Sequence, residues 1–123
     1  MELLVHGRHL AITDPLLGYT RAKVKRLSRF SNLILKVDIF FTANKDSSYT
    51  AKVIVGLPRN KTIVCSEREK TSTAALDLTM DTVERKLSAF KEKLRHKGNR
   101  EKVARRLMER AGDTGDPPER AGS

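Results

Sequence analysis

The period of the apolar residues switches twice along this chain, and the switch leaves few folds open. Over residues 15–31, Leu17, Thr20, Val24, Leu27 and Ser31 recur at steps of three and four, and Leu16, Tyr19 and Phe30 widen the stripe. Residues at that spacing share one face of a helix. From Leu33 the period becomes two: Leu33, Leu35, Val37, Ile39 and Phe41 fall on one face, and Ile34, Lys36, Asp38, Phe40 and Thr42 on the other. Alternation continues through residues 49–57, with Tyr49, Ala51, Val53 and Val55 together, and again through 61–67. The turn-forming stretches NKDSS and PRN separate these runs, so the spacing predicts three strands in an antiparallel meander. Helical spacing then returns in Leu76, Met80, Val83, Leu87, Phe90 and Leu94.

The ends of the pattern add detail. ELLVHG reads as a first strand closing at Gly7. Thr13 or Asp14 can cap the first helix, and Pro15 suits its first turn. The second helix is expected to start near Thr71 or Ser72 and to stop or kink at Gly98-Asn99, with REKVARRLMERAG as one more short helix. GDTGDPPERAGS has the composition of a disordered tail. The order is β-α-β-β-β-α. Strand one, helix one and strand two form a βαβ unit, which implies parallel strands and a right-handed crossover. Two amphipathic helices each need a surface to bury, so the expected class is α+β: a four-stranded sheet with two helices packed on one face. Residues 1–97 are read as the domain, and 98–123 as a basic helical extension with a loose tail.

Charge narrows the function. The 123 residues carry 25 Lys and Arg against 15 Asp and Glu, with a pI of about 10.1. A domain this basic is expected to meet an anion, nucleic acid first. Trp is absent and aromatics are 5 %, which leaves little material for stacking bases. The single cysteine, Cys65, cannot close an internal disulfide and fits a reducing compartment. The N-terminus lacks the apolar stretch of a signal peptide, and no run approaches the ~18 apolar residues of a membrane span. A soluble, cytoplasmic protein is expected.

The cations are not spread evenly. On a helical wheel, Arg21, Lys25, Arg26 and Arg29 fall opposite the first helix's apolar stripe and Lys23 lies at its edge, with no acid between Pro15 and Ser31. Like charges four residues apart repel by a few tenths of a kcal/mol per pair, so a face that only needs solvation normally mixes signs. The bland alternative is that sheet or loop acids such as Asp38 pair with them. In the second helix, acids precede bases, partly as the helix dipole favours. The wheel also separates them sideways: Lys86, Lys93 and Lys97 line one flank of the stripe, while Asp77, Asp81, Glu84 and Glu92 lie on the other flank and outer side. If the basic flank adjoins helix one, the two helices make one continuous positive surface. Arg85 points away from the stripe and has Asp81 four residues before it.

Catalytic and metal chemistry finds little support. His6 and His9 are three apart, which in a strand places them on opposite sides unless the strand ends at Gly7, and no Cys or second His cluster completes a metal site. Cys65 has no activating base nearby in sequence. The carboxylates of helix two read as solvated groups or dipole partners, and GLPRNK has too few glycines for a phosphate loop. No enzyme, cofactor, metal or small-molecule substrate is expected.

Two segments carry a resemblance. VHGRHLAITDPL followed by a basic helix, and AALDLTMDTVERKLSAFKEKLRHK, together resemble the ribosome hibernation-promoting factors, the family of ribosome-associated inhibitor A and sigma-54 modulation protein. The likeness covers about residues 2–97. It implies the β-α-β-β-β-α domain, and binding to rRNA in the channel of the small ribosomal subunit. There the domain would block the tRNA and mRNA sites as a stress-related translation inhibitor that catalyses nothing. It also implies rRNA-binding roles for Lys23, Arg26 and Arg29 in helix one and for Arg85, Lys91, Lys93 and Arg95 in helix two. Arg21, Lys25, Lys86 and Lys97 come from the wheel alone. The sequence departs from the family at Thr71, Ser72 and Thr73, where Asp-Met-Tyr is common. Long members have a second domain that pairs ribosomes; about 26 residues follow Lys97 here, so a short, monomeric form is expected.

Two other classes fit the residues. A free-standing double-stranded RNA binder would use basic helices against phosphates and the minor groove. A protein-interaction module, such as a modulator of a transcription factor, would use them against an acidic partner. A membrane-surface role lacks a spare apolar helix face.

Overall fold

The computed structural model describes the backbone of residues 1–111 and the side chains through Arg95. Strand β1 spans Glu2–Arg8, helix α1 Asp14–Val24, a 3-10 helix Lys25–Phe30, β2 Lys36–Ala43, β3 Tyr49–Leu57, β4 Lys61–Glu69 and helix α2 Ser72–Ala111. The strands make one sheet in the order β1-β2-β3-β4. β1 runs parallel to β2, and the β2–β3 and β3–β4 pairs are antiparallel. The α+β architecture and its element order are those the periodicities imply.

One face of the sheet supplies the core. Val37, Ile39 and Phe41 of β2 stand opposite Val55, Val53 and Ala51 of β3, and all six are fully buried. Leu16, Val24 and Leu27 from the first helical segment and Leu76, Met80, Val83 and Leu87 from α2 bury with them. Burying each side chain of this size is worth about 1.5–3 kcal/mol. Thr79, also buried, ties α2 to the sheet: its hydroxyl lies within hydrogen-bonding distance of the Ala51 carbonyl at 3.0 Å and the Ala75 carbonyl at 2.7 Å. Within residues 1–87, no helix covers the other sheet face, where Leu4 and Val64 are exposed.

Three details differ from the sequence reading. The first helix is α-helical only to Val24, and its last turn tightens to 3-10 over Lys25–Phe30. At three residues per turn, positions i and i+3 eclipse, which aligns Leu27 with Phe30 and buries both. Ser31 is consequently exposed and not part of the stripe. Second, β2 starts at Lys36 rather than in the low thirties. The amides of Leu33 and Ile34 bond back to the Phe30 carbonyl, at 2.8 and 3.1 Å, so the alternation is interrupted there. Ile34, placed by parity on the polar face, is 3 % exposed, and Leu35 is 60 % exposed. Third, α2 is one helix through Gly98-Asn99 to Ala111. One glycine costs a helix about 1 kcal/mol relative to alanine, and the Lys, Arg, Glu and Leu residues on both sides favour helix. The disordered-tail reading of the last twelve residues lies outside the described residues.

Met1–Leu87 forms one compact unit, and the chain from Ser88 onward a second. In that second unit the helix presents Phe90 half-buried and Leu94 exposed.

Candidate nucleic-acid interface

Asp77, Asp81 and Glu84 recur at four and three residues along α2 and so form one flank. Packing turns that flank toward the first helix. Tyr19 donates its hydroxyl to both oxygens of Asp77, at 2.7 Å to Oδ1 and 2.9 Å to Oδ2. Lys23 Nζ lies 3.0 Å from Asp77 Oδ1 and 5.5 Å from the centroid of the Tyr19 ring. One turn on, Arg26 Nη2 donates to Glu84 Oε2 at 2.8 Å and stands 3.7 Å from Asp81 Oδ1.

These contacts have different weights. The Glu84 side chain is 15 % exposed and that of Lys23 24 %, so part of each pair is shielded from water. The Arg26–Asp81 contact is long and open on both sides, and worth little. The Asp77 carboxylate favours the protonated form of both its partners. Its hydrogen bond pushes the Tyr19 phenol above its ordinary range, and its hydrogen bond to Lys23 raises that ammonium too.

The acids that meet the first helix therefore come from α2. Asp38 instead faces His6, with Nε2 3.4 Å from Oδ1, and Lys36, with Nζ 3.6 Å from Oδ2. The expectation of one continuous positive surface across the two helices is overturned at this seam. The acidic flank of α2 adjoins helix one, and Lys86 lies on the side toward β4, where its charge acts on the Cys65 thiol. The reason is geometric: the stripe fixes which residues point at the sheet, but the side on which the neighbouring helix lies is set by strand order.

Beyond the seam, Arg21, Lys25 and Arg29 are exposed, and none has a carboxylate within salt-bridge distance among the described residues. The α-helical step of four holds from Arg21 to Lys25, whose amide bonds to the Arg21 carbonyl, but the 3-10 turn then brings Arg29 into line with Arg26. The Arg29 guanidinium sits 4.7 Å from the centroid of the Phe30 ring, which holds it in place without cancelling its charge. In α2, Arg85 reaches Thr82 Oγ1 at 3.4 Å and does not pair with Asp81. Lys86, Lys91 and Lys93 are exposed, and Arg95 makes a loose 3.7 Å contact with Glu92. The side chain of Lys97 lies outside the described residues.

The predicted cations thus fall into groups with different roles. Lys23 and Arg26 clasp the two helices. Arg21, Lys25 and Arg29 project outward from the first, and Arg85 and Lys86 from α2. Sequence reasoning missed the clasp itself. Its signal was present in Tyr19 at the stripe's edge and in the single-sided acidic flank.

Fold and surface define a two-layer α+β domain, helices over one side of a mixed sheet, with outward cations on the helical side. The chain belongs to the family described as Sigma 54 modulation protein / S30EA ribosomal protein, whose sequence pattern matches residues 3–95. It is 27 % identical over 110 residues to a ribosome hibernation promotion factor of Staphylococcus aureus, covering 85 % of this chain and 58 % of that protein. It is 28 % identical over 97 residues to the protein of the same name from Picosynechococcus, covering 76 % and 50 %. The chain thus spans about half the length of these relatives. Among solved structures, a ribosomal subunit interface protein from Coxiella burnetii superposes with a TM-score of 0.69 at 25 % identity, over 75 % of this chain and 99 % of that one. The N-terminal domain of Thermus thermophilus Protein Y gives 0.66 at 26 %, over 73 % and 99 %.

Proposed function

We propose that this chain is a ribosome hibernation factor: it binds small-subunit rRNA in the decoding channel, occupies the tRNA and mRNA sites and so stops translation without catalysis. Residues 1–97 would form the binding domain. Family membership supports the ribosomal setting, since relatives are named for ribosome hibernation and for the subunit interface. The observation that carries the RNA contact is the exposure of Arg21, Lys25 and Arg29 with no carboxylate among the described residues to answer them. Such cations release condensed counterions when they meet phosphate; six contacts would give a salt slope of roughly −4 to −5 in log K against log salt. They position the protein on folded RNA and read shape, not sequence.

The role of Lys23 and Arg26 is then indirect. They hold the two helices in register, and either reaches phosphate only by sharing its carboxylate. The test is co-sedimentation with ribosomes at moderate salt. Arg21→Glu, Lys25→Glu and Arg29→Glu together should abolish it while leaving the thermal midpoint near that of the wild type. A triple variant that still sediments with the small subunit would overturn the reading.

A further inference from the structure

The helix-free face of the sheet carries aromatic and cationic groups that the proposed ribosomal contact does not use. The register puts His6 of β1, Phe40 of β2 and Lys52 of β3 in one row across three strands, and directly opposed residues project to the same side. His6 and Phe40 stack, with ring centroids 4.5 Å apart and planes 14° from parallel. The His6 side chain remains 44 % exposed. In the adjoining row, Leu4 and Val64 are 38 % and 47 % exposed.

We propose that this face binds single-stranded RNA, its bases stacking on the His6–Phe40 column and its phosphates meeting Lys52 and Arg8. Arg8 follows His6 on the same face of β1, and neither it nor Lys52 has a carboxylate partner among the described residues. The acid in the neighbouring row, Asp38, is already met by Lys36 at 3.6 Å and His6 at 3.4 Å. The charge left unanswered around the rings is therefore positive, and the complement is an anion. A flat, partly exposed ring pair favours an anion with planar groups, which a nucleic acid offers with every unpaired base. A duplex hides those faces in its own stack, which is why the occupant is a single strand. The low aromatic content argues against this at the level of composition, but the sheet sets one of those few rings, Phe40, against the imidazole of His6.

The test uses the full chain and a labelled twelve-nucleotide oligouridine, followed by anisotropy and by amide chemical shifts. Binding should shift the resonances of Leu4, His6, Phe40 and Lys52. Phe40→Tyr should bind like the wild type. Phe40→Leu, which keeps an apolar side chain of similar size, should weaken binding by roughly 5- to 100-fold, the loss of one stacked base. Lys52→Glu, at an exposed position, should weaken it more at low salt than at high salt. Shifts confined to α1 and α2, equal affinity of Phe40→Leu and the wild type, or capture of an acidic peptide but not of the oligonucleotide would each overturn the proposal. None of these outcomes bears on the ribosomal reading, which is scored by the helix-one variants.

Discussion

Lys23 and Asp77 meet at 3.0 Å across the seam between the two helices, 54 residues apart in the chain. The same carboxylate takes two contacts from Tyr19, so a single acid locks the edge of α1 to the start of α2. What looked like a purely outward basic helix is one that spends two cations on its own fold.

The Asp77 lock should show itself at high pH. Both Tyr19 and Lys23 hold their protons more tightly in the folded chain than at their ordinary values of 10.0 and 10.5. The folded state then binds more protons than the unfolded one in that range, so stability is whole below about pH 10 and falls as pH rises through the raised values. Asp77→Asn should cost about 1 kcal/mol at neutral pH, since much of the pair is screened. It should also flatten the alkaline decline. Urea midpoints from pH 8 to pH 11 check both parts; an unchanged alkaline slope in the variant would contradict the assignment.

Stability and RNA binding should separate between neighbouring cations. Lys23→Ala and Arg26→Ala are each expected to lose about 0.5–1 kcal/mol. Single alanine changes at Arg21 and Lys25 should stay within about 0.5 kcal/mol of the wild type. Ribosome sedimentation should rank the residues in the opposite order, with Arg21 and Lys25 the more damaging.

Gly7 has no room for a side chain. A Cβ there would run into the Leu10 carbonyl oxygen, with Ile12 carbon atoms at 3.2 Å behind it. The loop folds back over the strand at this point, through a His9 that adopts φ 62°. Gly7→Ala should therefore destabilise the chain by about 1–3 kcal/mol through overpacking against backbone. Thermal denaturation measures this, and Gly18→Ala, where a Cβ would meet nothing within 4 Å beyond its chain neighbours and its own helix backbone, is the control. Because Gly18 sits inside α1, its replacement should stabilise by about 0.5–1 kcal/mol.

Cys65 is buried on β4, and burial pushes its thiol up, with Glu67 adding to the shift and Lys86 partly opposing it. Alkylation of the native chain at pH 8 should be at least about tenfold slower than of the chain in urea. Lys86→Glu should slow it further. Native and unfolded labelling at equal rates would place the thiol at the surface.

The sequence by itself determined the elements and their order. Periods of two and of three-to-four are properties of backbone geometry, so Val37, Ile39 and Phe41, or Leu76, Met80, Val83 and Leu87, announce their buried faces without any knowledge of neighbours. It also determined the sheet pairing, because a βαβ start followed by short turns leaves little choice. Local overrides blurred the boundaries. The 3-10 tightening at Lys25–Phe30 and the turn that buries Ile34 arise where the chain must leave a helix and enter a strand within a few residues.

Only the tertiary structure decided what the charges do. A helical wheel gives the angle of Lys23 or Asp77 about its own axis, but not which helix lies on that side. That depends on how the two helices settle side by side on one sheet, a long-range outcome that neither segment decides alone. The same holds for His6 and Phe40, 34 residues apart, whose stacking exists only because parallel pairing sets β1 against β2 in that register. Burial patterns are written into each segment by the spacing of its residues, whereas partnerships between segments are not.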